Sequence, residues 1–142
     1  QTPGWALARE VALLRRFAAL YAARDAGRYR FDFAVDDAAT ARPIPPLVLL
    51  PLFENAIKHG PAAGHAGAVT LRVRADGGDA AVTIENPGAL AGRREGGHGL
   101  ASVERRLRLA YGDGVKLAIS SSHDVTTATV RLPPEPVAGG AS

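Results

Sequence analysis

Residues 51–60 read P-L-F-E-N-A-I-K-H-G, and this stretch decides how the rest of the chain is understood. Leu49, Leu52, Phe53 and Ala56 recur at the spacing of one helix face and predict a core side. Asn55 and His59 are four apart, Glu54 and Lys58 are four apart, and Asn55 and Lys58 are three apart, so four polar side chains gather on a second face. A solvated helix end would carry the same charges, and spacing alone leaves both readings open. The chemistry of the group is nevertheless specific. The Asn offers an uncharged oxygen suited to a Mg2+ ion that keeps most of its waters and takes its other ligands from phosphates. Lys58 offers a mobile cation of the kind used on phosphates. It also stands out in composition, because fifteen of the seventeen basic residues are Arg and Lys116 is the only other Lys.

Outward from this stretch, the helix is predicted from about Leu47 to His59, entered through a polar connector, Asp36 to Pro46, in which Pro45 and Pro46 favour extended backbone. Upstream, Leu7, Val11, Leu14, Phe17 and Tyr21 form the stripe of an amphipathic helix from Trp5 to Arg24, which Gly27 is expected to end. Tyr29 to Val35 alternates as a half-buried strand. Downstream, Gly60 to Gly67 has loop composition, and Val69 to Arg74 and Ala80 to Glu85 form a hairpin across Asp76 to Asp79. A Gly-rich stretch, Asn86 to Gly99, leads into a helix from Leu100 to Tyr111 that is broken by Gly112 to Gly114. Strands Val115 to Ser120 and Thr126 to Leu132 close the fold, and Pro133 to Ser142 is a loose tail. This order implies an α/β (α+β) two-layer sandwich, a mixed sheet with its helices on one face.

The 142 residues fit one domain, and 46% hydrophobic content is enough for a core without disulfides or structural metal. With no Cys, a disulfide scaffold and a Cys-based zinc site are excluded. A net charge of +3, spread along the chain, is only a weak argument for nucleic acid, and no nucleic-acid partner is expected. No apolar run approaches the roughly 20 residues that span a bilayer. The chain has no Met and opens within a helical pattern, so it is expected to be a segment of a longer protein.

A second stretch bears on phosphate chemistry. Gly88, Gly92, Gly96, Gly97 and Gly99 flank Arg93 and Arg94, and the helix starting near Leu100 would direct its N-terminal N–H groups toward an anion. A plain connector has the same composition, and both readings stand.

The string I-P-P-L-V-L-L-P-L-F-E-N-A-I-K-H-G, residues 44–60, closely resembles the N box of sensor histidine kinases of the LytS/AlgZ-like group, whose ATP-binding module belongs to the GHKL ATPase superfamily. Glu10 to Arg24 resembles the group's preceding helix. Gly97 to Leu107, G-H-G-L-A-S-V-E-R-R-L, resembles the second glycine box with its helix, and Thr126 to Pro133 resembles the closing strand. Four boxes in order cover residues 10–133.

The resemblance implies a Bergerat-type ATP site with ATP and Mg2+ as cofactors. Asn55 would bind the Mg2+, Lys58 would contact the phosphates, and His59 would lie at the pocket edge; Glu54 joins Asn55 and Lys58 as a catalytic candidate. Gly88, Gly97, Gly99 and Leu100 would bring backbone close to the nucleotide, with His98 at a variable position. Arg93 and Arg94 would neutralise phosphates from a short lid, and Thr126 or Thr127 would lie near the adenine. The group's first glycine box has an Asp that accepts from adenine N6, whereas this chain reads Glu85, Asn86, Pro87, Gly88. Val82, Ile84 and Asn86 share one strand face, which assigns the adenine to Asn86 with Glu85 as competitor, and nucleotide affinity is expected to be weaker or altered. Ser102 also replaces an Asn common in the second box.

In the superfamily's hydrolases a carboxylate one turn before the Mg2+ Asn activates water; here that position is Pro51, and Glu54 projects about 100° away from Asn55 around the helix. This favours γ-phosphoryl transfer to a protein over hydrolysis. None of His59, His65, His98 and His123 has the group's phosphoacceptor context, and His123 reads as a surface turn residue. The resemblance therefore implies the catalytic half of a kinase. Residues 1–27 would link to a dimerisation and phosphoacceptor region, 28–133 would form the catalytic domain, and 134–142 would be a flexible tail. Its partners would be ATP, its own phosphoacceptor domain and a response regulator. It would be a cytoplasmic domain of an inner-membrane protein, reaching the membrane only through segments N-terminal to residue 1. A GHKL serine kinase or ATPase and a degenerate nucleotide-sensing module are the alternatives.

Overall fold

The computed structural model describes residues 4–89, 97–112 and 115–134. A two-residue strand β1 (Trp5–Ala6) leads into helix α1 (Leu7–Arg24). The expected stripe is the face that α1 buries: Leu7, Val11, Leu14 and Ala18 are in the core, and Phe17 and Tyr21 pack against it. Its Arg side chains stay exposed, with Arg15 lying over the Phe33 ring at 4.7 Å and Arg24 over Tyr21 at 5.4 Å. The helix stops at Arg24, before Gly27. Asp25 turns the chain instead, its backbone and side-chain oxygens both accepting from the Arg28 N–H at 3.1 Å.

Strand β2 (Phe31–Val35) follows. The connector beyond it is more ordered than its composition suggests: a single 3-10 turn, Asp37–Ala39, capped by the Asp36 carboxylate, precedes strand β3 (Pro43–Ile44), which pairs antiparallel with β1. Helix α2 (Leu49–His59) begins two residues later than periodicity predicts, because Leu47 takes a left-handed φ of 63°.

Strands β4 (Val69–Asp76) and β5 (Asp79–Pro87) run further than the hydrophobic pattern, so their turn is only Gly77 and Gly78, at φ 61° and 92°. Positive φ at both turn residues matches the right-handed twist of the strands it joins. Helix α3 (Gly97–Tyr111) starts three residues before Leu100, and β6 (Lys116–Ser122) and β7 (Val125–Leu132) form a second tight hairpin. The second turn places His123 and Asp124 at positive φ with His123 exposed, as a surface turn residue requires.

The sheet order is β2-β4-β5-β7-β6, with β2 and β4 parallel and every other pair antiparallel. The parallel pair is joined through α2, since a parallel crossover needs a long connection. One sheet face presents Val69, Leu71, Val73, Val82, Ile84 and Val130 to the three helices, in one core with Phe53, Val103, Leu107 and Tyr111. The opposite face is charged and open: Arg72 pairs with Glu85 at 3.2 Å, and Arg131 donates to Asp76 at 2.8 Å and approaches Asp79 at 3.4 Å. The Arg131 hydrogen bond and charge hold the Asp76 carboxyl below its ordinary range. The two-layer α/β sandwich with helices on one face is therefore the observed architecture. Among the described residues, no helix is long and apolar enough to cross a membrane.

Candidate functional site

Helix α2 buries Leu49, Leu52, Phe53, Ala56 and Ile57, with the Phe53 ring 5.6 Å from Phe31 and 6.1 Å from Phe33. On its other side Asn55 and His59 are half-buried, while Glu54 and Lys58 are exposed. Pro51 sits in the first turn, where a missing N–H leaves no hydrogen bond unmade.

The last turn of α2 abuts the end of β5. A Cβ on Gly60 would lie 2.8 Å from the Ala56 carbonyl oxygen, 3.0 Å from Asn86 Cβ and 3.1 Å from the Pro87 oxygen. Only a glycine lets the helix end close on Asn86. Composition places Gly60 at the start of a loop; its position directly after the polar ladder is the only local signal of this contact.

Asn86 is 5% exposed and lies on the helix-facing side of β5 with Val82 and Ile84. Its Nδ2 donates to the Pro87 oxygen at 2.7 Å. In register, Asn86 faces Thr126 and Glu85 faces Thr127, so the two candidate pairs separate by sheet face. Thr126 shares the inner face and donates through Oγ1 to the Gly88 oxygen at 2.7 Å. Glu85 and Thr127 share the open face, and Glu85 is occupied by Arg72. Thr127 thus does not join the group around Asn86; paired residues of an antiparallel ladder project to the same side.

Gly88 has φ 106° and donates its N–H to the Asp124 oxygen at 2.6 Å. A Cβ there would meet the His65 ring at 2.7 Å. His65 therefore lies beside the site although nothing in its local sequence marks it. Helix α3 packs against α2, with Gly97, His98 and Gly99 in its first turn and Leu100 half-buried against the core. Arg93 and Arg94 lie outside the described residues, as does the side chain of His98.

Among the described residues, no side-chain hydrogen bond or ion pair engages Asn55, Lys58 or His59, and no three His, Asp or Glu converge as a metal cage. One neutral oxygen beside a mobile cation fits a hard divalent ion delivered with phosphate oxygens and water, and does not fit a protein-only site.

No family model matches the chain. It is 29% identical over 131 residues to the sensor histidine kinase BtsS of Escherichia coli strain K12, a match covering 89% of this chain and 23% of that protein. The chain thus spans 23% of the length of the curated relatives it matches. Among solved structures, the catalytic domain of histidine kinase ThkA superposes with a TM-score of 0.74 at 14% identity, over 96% of this chain and 99% of that one. ThkA in complex with response regulator TrrA gives 0.69 at 15% identity, covering 94% and 42%. ShkA in complex with AMPPNP gives 0.60 at 21% identity, covering 88% and 30%. The fold is that of a histidine kinase catalytic domain. Within it, the end of α2 and the end of β5 are neighbours although they are far apart in sequence, and α3 packs against α2.

Proposed function

We propose that this chain is the ATP-binding catalytic domain of a two-component sensor histidine kinase, passing the γ-phosphoryl group of ATP to a histidine outside these 142 residues. The observation that carries the reading is the meeting of the half-buried Asn55 and His59 strip, Gly60 and Asn86 at one end of the sheet, in a fold shared with histidine kinase catalytic domains.

In this reading Mg2+ supplies neutralisation of triphosphate charge, with Asn55 offering it a protein oxygen. Lys58 swings from the exposed side of α2 onto phosphate oxygens. Asn86 holds the base: with Nδ2 committed to Pro87, its Oδ1 is left to accept from adenine N6. Thr126 fixes the Gly88 backbone beside it. Gly97, Gly99 and Leu100 start α3, whose free N–H groups favour an anion. Arg93, Arg94 and His98 belong to the same phosphate-facing stretch, and Glu54 stays on the solvent rim. Pro51 leaves no base one turn before Asn55, so positioned transfer prevails over hydrolysis. Residues 1–27 connect to the phosphoacceptor region in this proposal, 28–133 carry the site, and 134–142 form the tail. A response regulator as acceptor, and a cytoplasmic place beneath an inner membrane, follow from the same reading; the ThkA complex with its response regulator supports the former.

The test is calorimetric titration with a non-hydrolysable ATP analogue, with and without Mg2+. Mg2+-dependent binding is expected, and Asn55→Ala should remove the Mg2+ dependence while the circular dichroism spectrum is unchanged. Unaltered Mg2+ dependence in that variant removes the metal assignment. A second reading, a nucleotide-sensing module without transfer, is favoured by the Asn in place of a carboxylate at residue 86. It predicts binding without phosphoryl transfer to any supplied acceptor domain.

A further inference from the structure

Glu10 is completely buried, yet among the described residues no cation pairs with it. Its partners are three neutral donors. Oε1 accepts from the Trp5 indole N–H and from the Leu47 N–H, each at 2.8 Å, and Oε2 accepts from the Leu49 N–H at 2.7 Å. Burying a charge without a counter-charge is unfavourable, so what compensates it must be strong. Here it is the start of α2. The N-cap residue of that helix, Val48, has no capping side chain, and the carboxylate of α1 serves instead at the positive end of the helix dipole. Because all three partners donate, a Gln of the same shape would set its own NH2 against an N–H.

The same short segment is gripped from the other side. Arg106 of α3 donates to the Leu47 oxygen at 3.0 Å and to the Pro46 oxygen. Leu47, a non-glycine residue at φ 63°, is thus held between a carboxylate of α1 and a guanidinium of α3, immediately before α2. Helices α2 and α3 are the two that bracket the proposed nucleotide site, and Asn55 lies six residues, about 9 Å, along α2 from Leu49.

We propose that Glu10 is a positioning residue for the nucleotide site, fixing the start of α2 against α1 and α3 so that nucleotide seating and the placement of α1 are coupled. This rests on the reading of the site given above.

Trp5 is the only Trp in the chain and its indole N–H sits on the Glu10 carboxylate, which makes it a native reporter. The 142-residue chain, labelled with 15N, is titrated with Mg2+ and a non-hydrolysable ATP analogue while binding heat is followed in parallel. The Trp5 indole N–H resonance is expected to move with the same saturation curve as the heat. Glu10→Gln, folded by circular dichroism, should bind about fivefold or more weakly and lose the Trp5 response. Saturation without movement of Trp5, or wild-type affinity in the folded variant, overturns the proposal and leaves Glu10 a matter of stability only. If Glu10→Gln does not fold, the titration of the unmodified chain decides. No binding heat from the unmodified chain overturns the nucleotide reading itself, and this inference with it.

Discussion

Gly60 shows how much a single missing side chain can fix. Its neighbours within 3.1 Å of a hypothetical Cβ are two backbone oxygens and the Asn86 Cβ, none of which is the free end of a flexible chain. Gly60→Ala must therefore shift either the last turn of α2 or the end of β5. The expected cost is about 1–3 kcal/mol, the usual range for overpacking a tight contact. Chemical denaturation measures it, and a variant as stable as the parent would show that the two ends do not meet this closely. The shift also falls on Asn86, so in the proposed site nucleotide affinity should drop further than the loss of stability alone predicts. Local sequence gave part of this residue-level picture. Strand parity placed Asn86 inside and Glu85 outside, because alternation is a property of the strand itself. The same alternation in β7 sets Thr126 with Ala128, Val130 and Leu132 and Thr127 with Thr129 and Arg131, and what needed the structure is the register that puts Thr126 opposite Asn86.

At the scale of elements, the segment from Thr40 to Leu47 behaves as a joint among three helices. The first N–H groups of α1, at Leu7 and Ala8, donate to the Arg42 and Thr40 oxygens at 2.8 and 2.9 Å. Tyr111, at the end of α3, donates its hydroxyl to the Pro43 oxygen. Arg42 in turn donates to the Leu132 and Gly78 oxygens at 2.8 and 2.9 Å. Burial pushes the Tyr111 hydroxyl up to about 12, with the Arg42 charge opposing only in part. Below the ordinary tyrosine value of 10 both folded and unfolded chains are protonated, and the contribution of Tyr111 is complete. Between 10 and about 12 the unfolded chain ionises first, so stability declines across that window. Tyr111→Phe should cost about 1 kcal/mol near neutral pH through the orphaned Pro43 oxygen. Its deficit should shrink when urea unfolding is repeated at pH 11, and a deficit independent of pH would refute the buried, protonated hydroxyl. In sequence this joint has the composition of a polar connector, because the partners that order it lie on other elements. The late start of α2 was hidden for the same reason: Leu47 is held by Glu10 and Arg106, 37 and 59 residues away.

For the whole molecule, periodicity was sufficient to give the layers, since one sheet face and three helix stripes are apolar and the other sheet face is charged. What periodicity could not give is the distance between ends, and that decides the chemistry. The described histidines bear on this directly. His123 is in a hairpin turn with its Nδ1 3.0 Å from Ser122 Oγ, and the His65 ring lies beside Gly88. His59 lies on the same helix as Asn55, one turn on, and in the proposed site a group bound by Asn55 and Lys58 would be held alongside this helix rather than in line with an imidazole of it. In-line attack on a γ-phosphoryl group needs an acceptor approaching from opposite the leaving oxygen, a position that α2 itself does not supply. Incubated with γ-labelled ATP and Mg2+, the chain should therefore bind nucleotide and retain no label that is acid-labile and base-stable. Such label on His59 or His98 would place an acceptor inside the domain. It would then require the phosphoryl group to travel within one chain, not between the catalytic domain and a helix outside it.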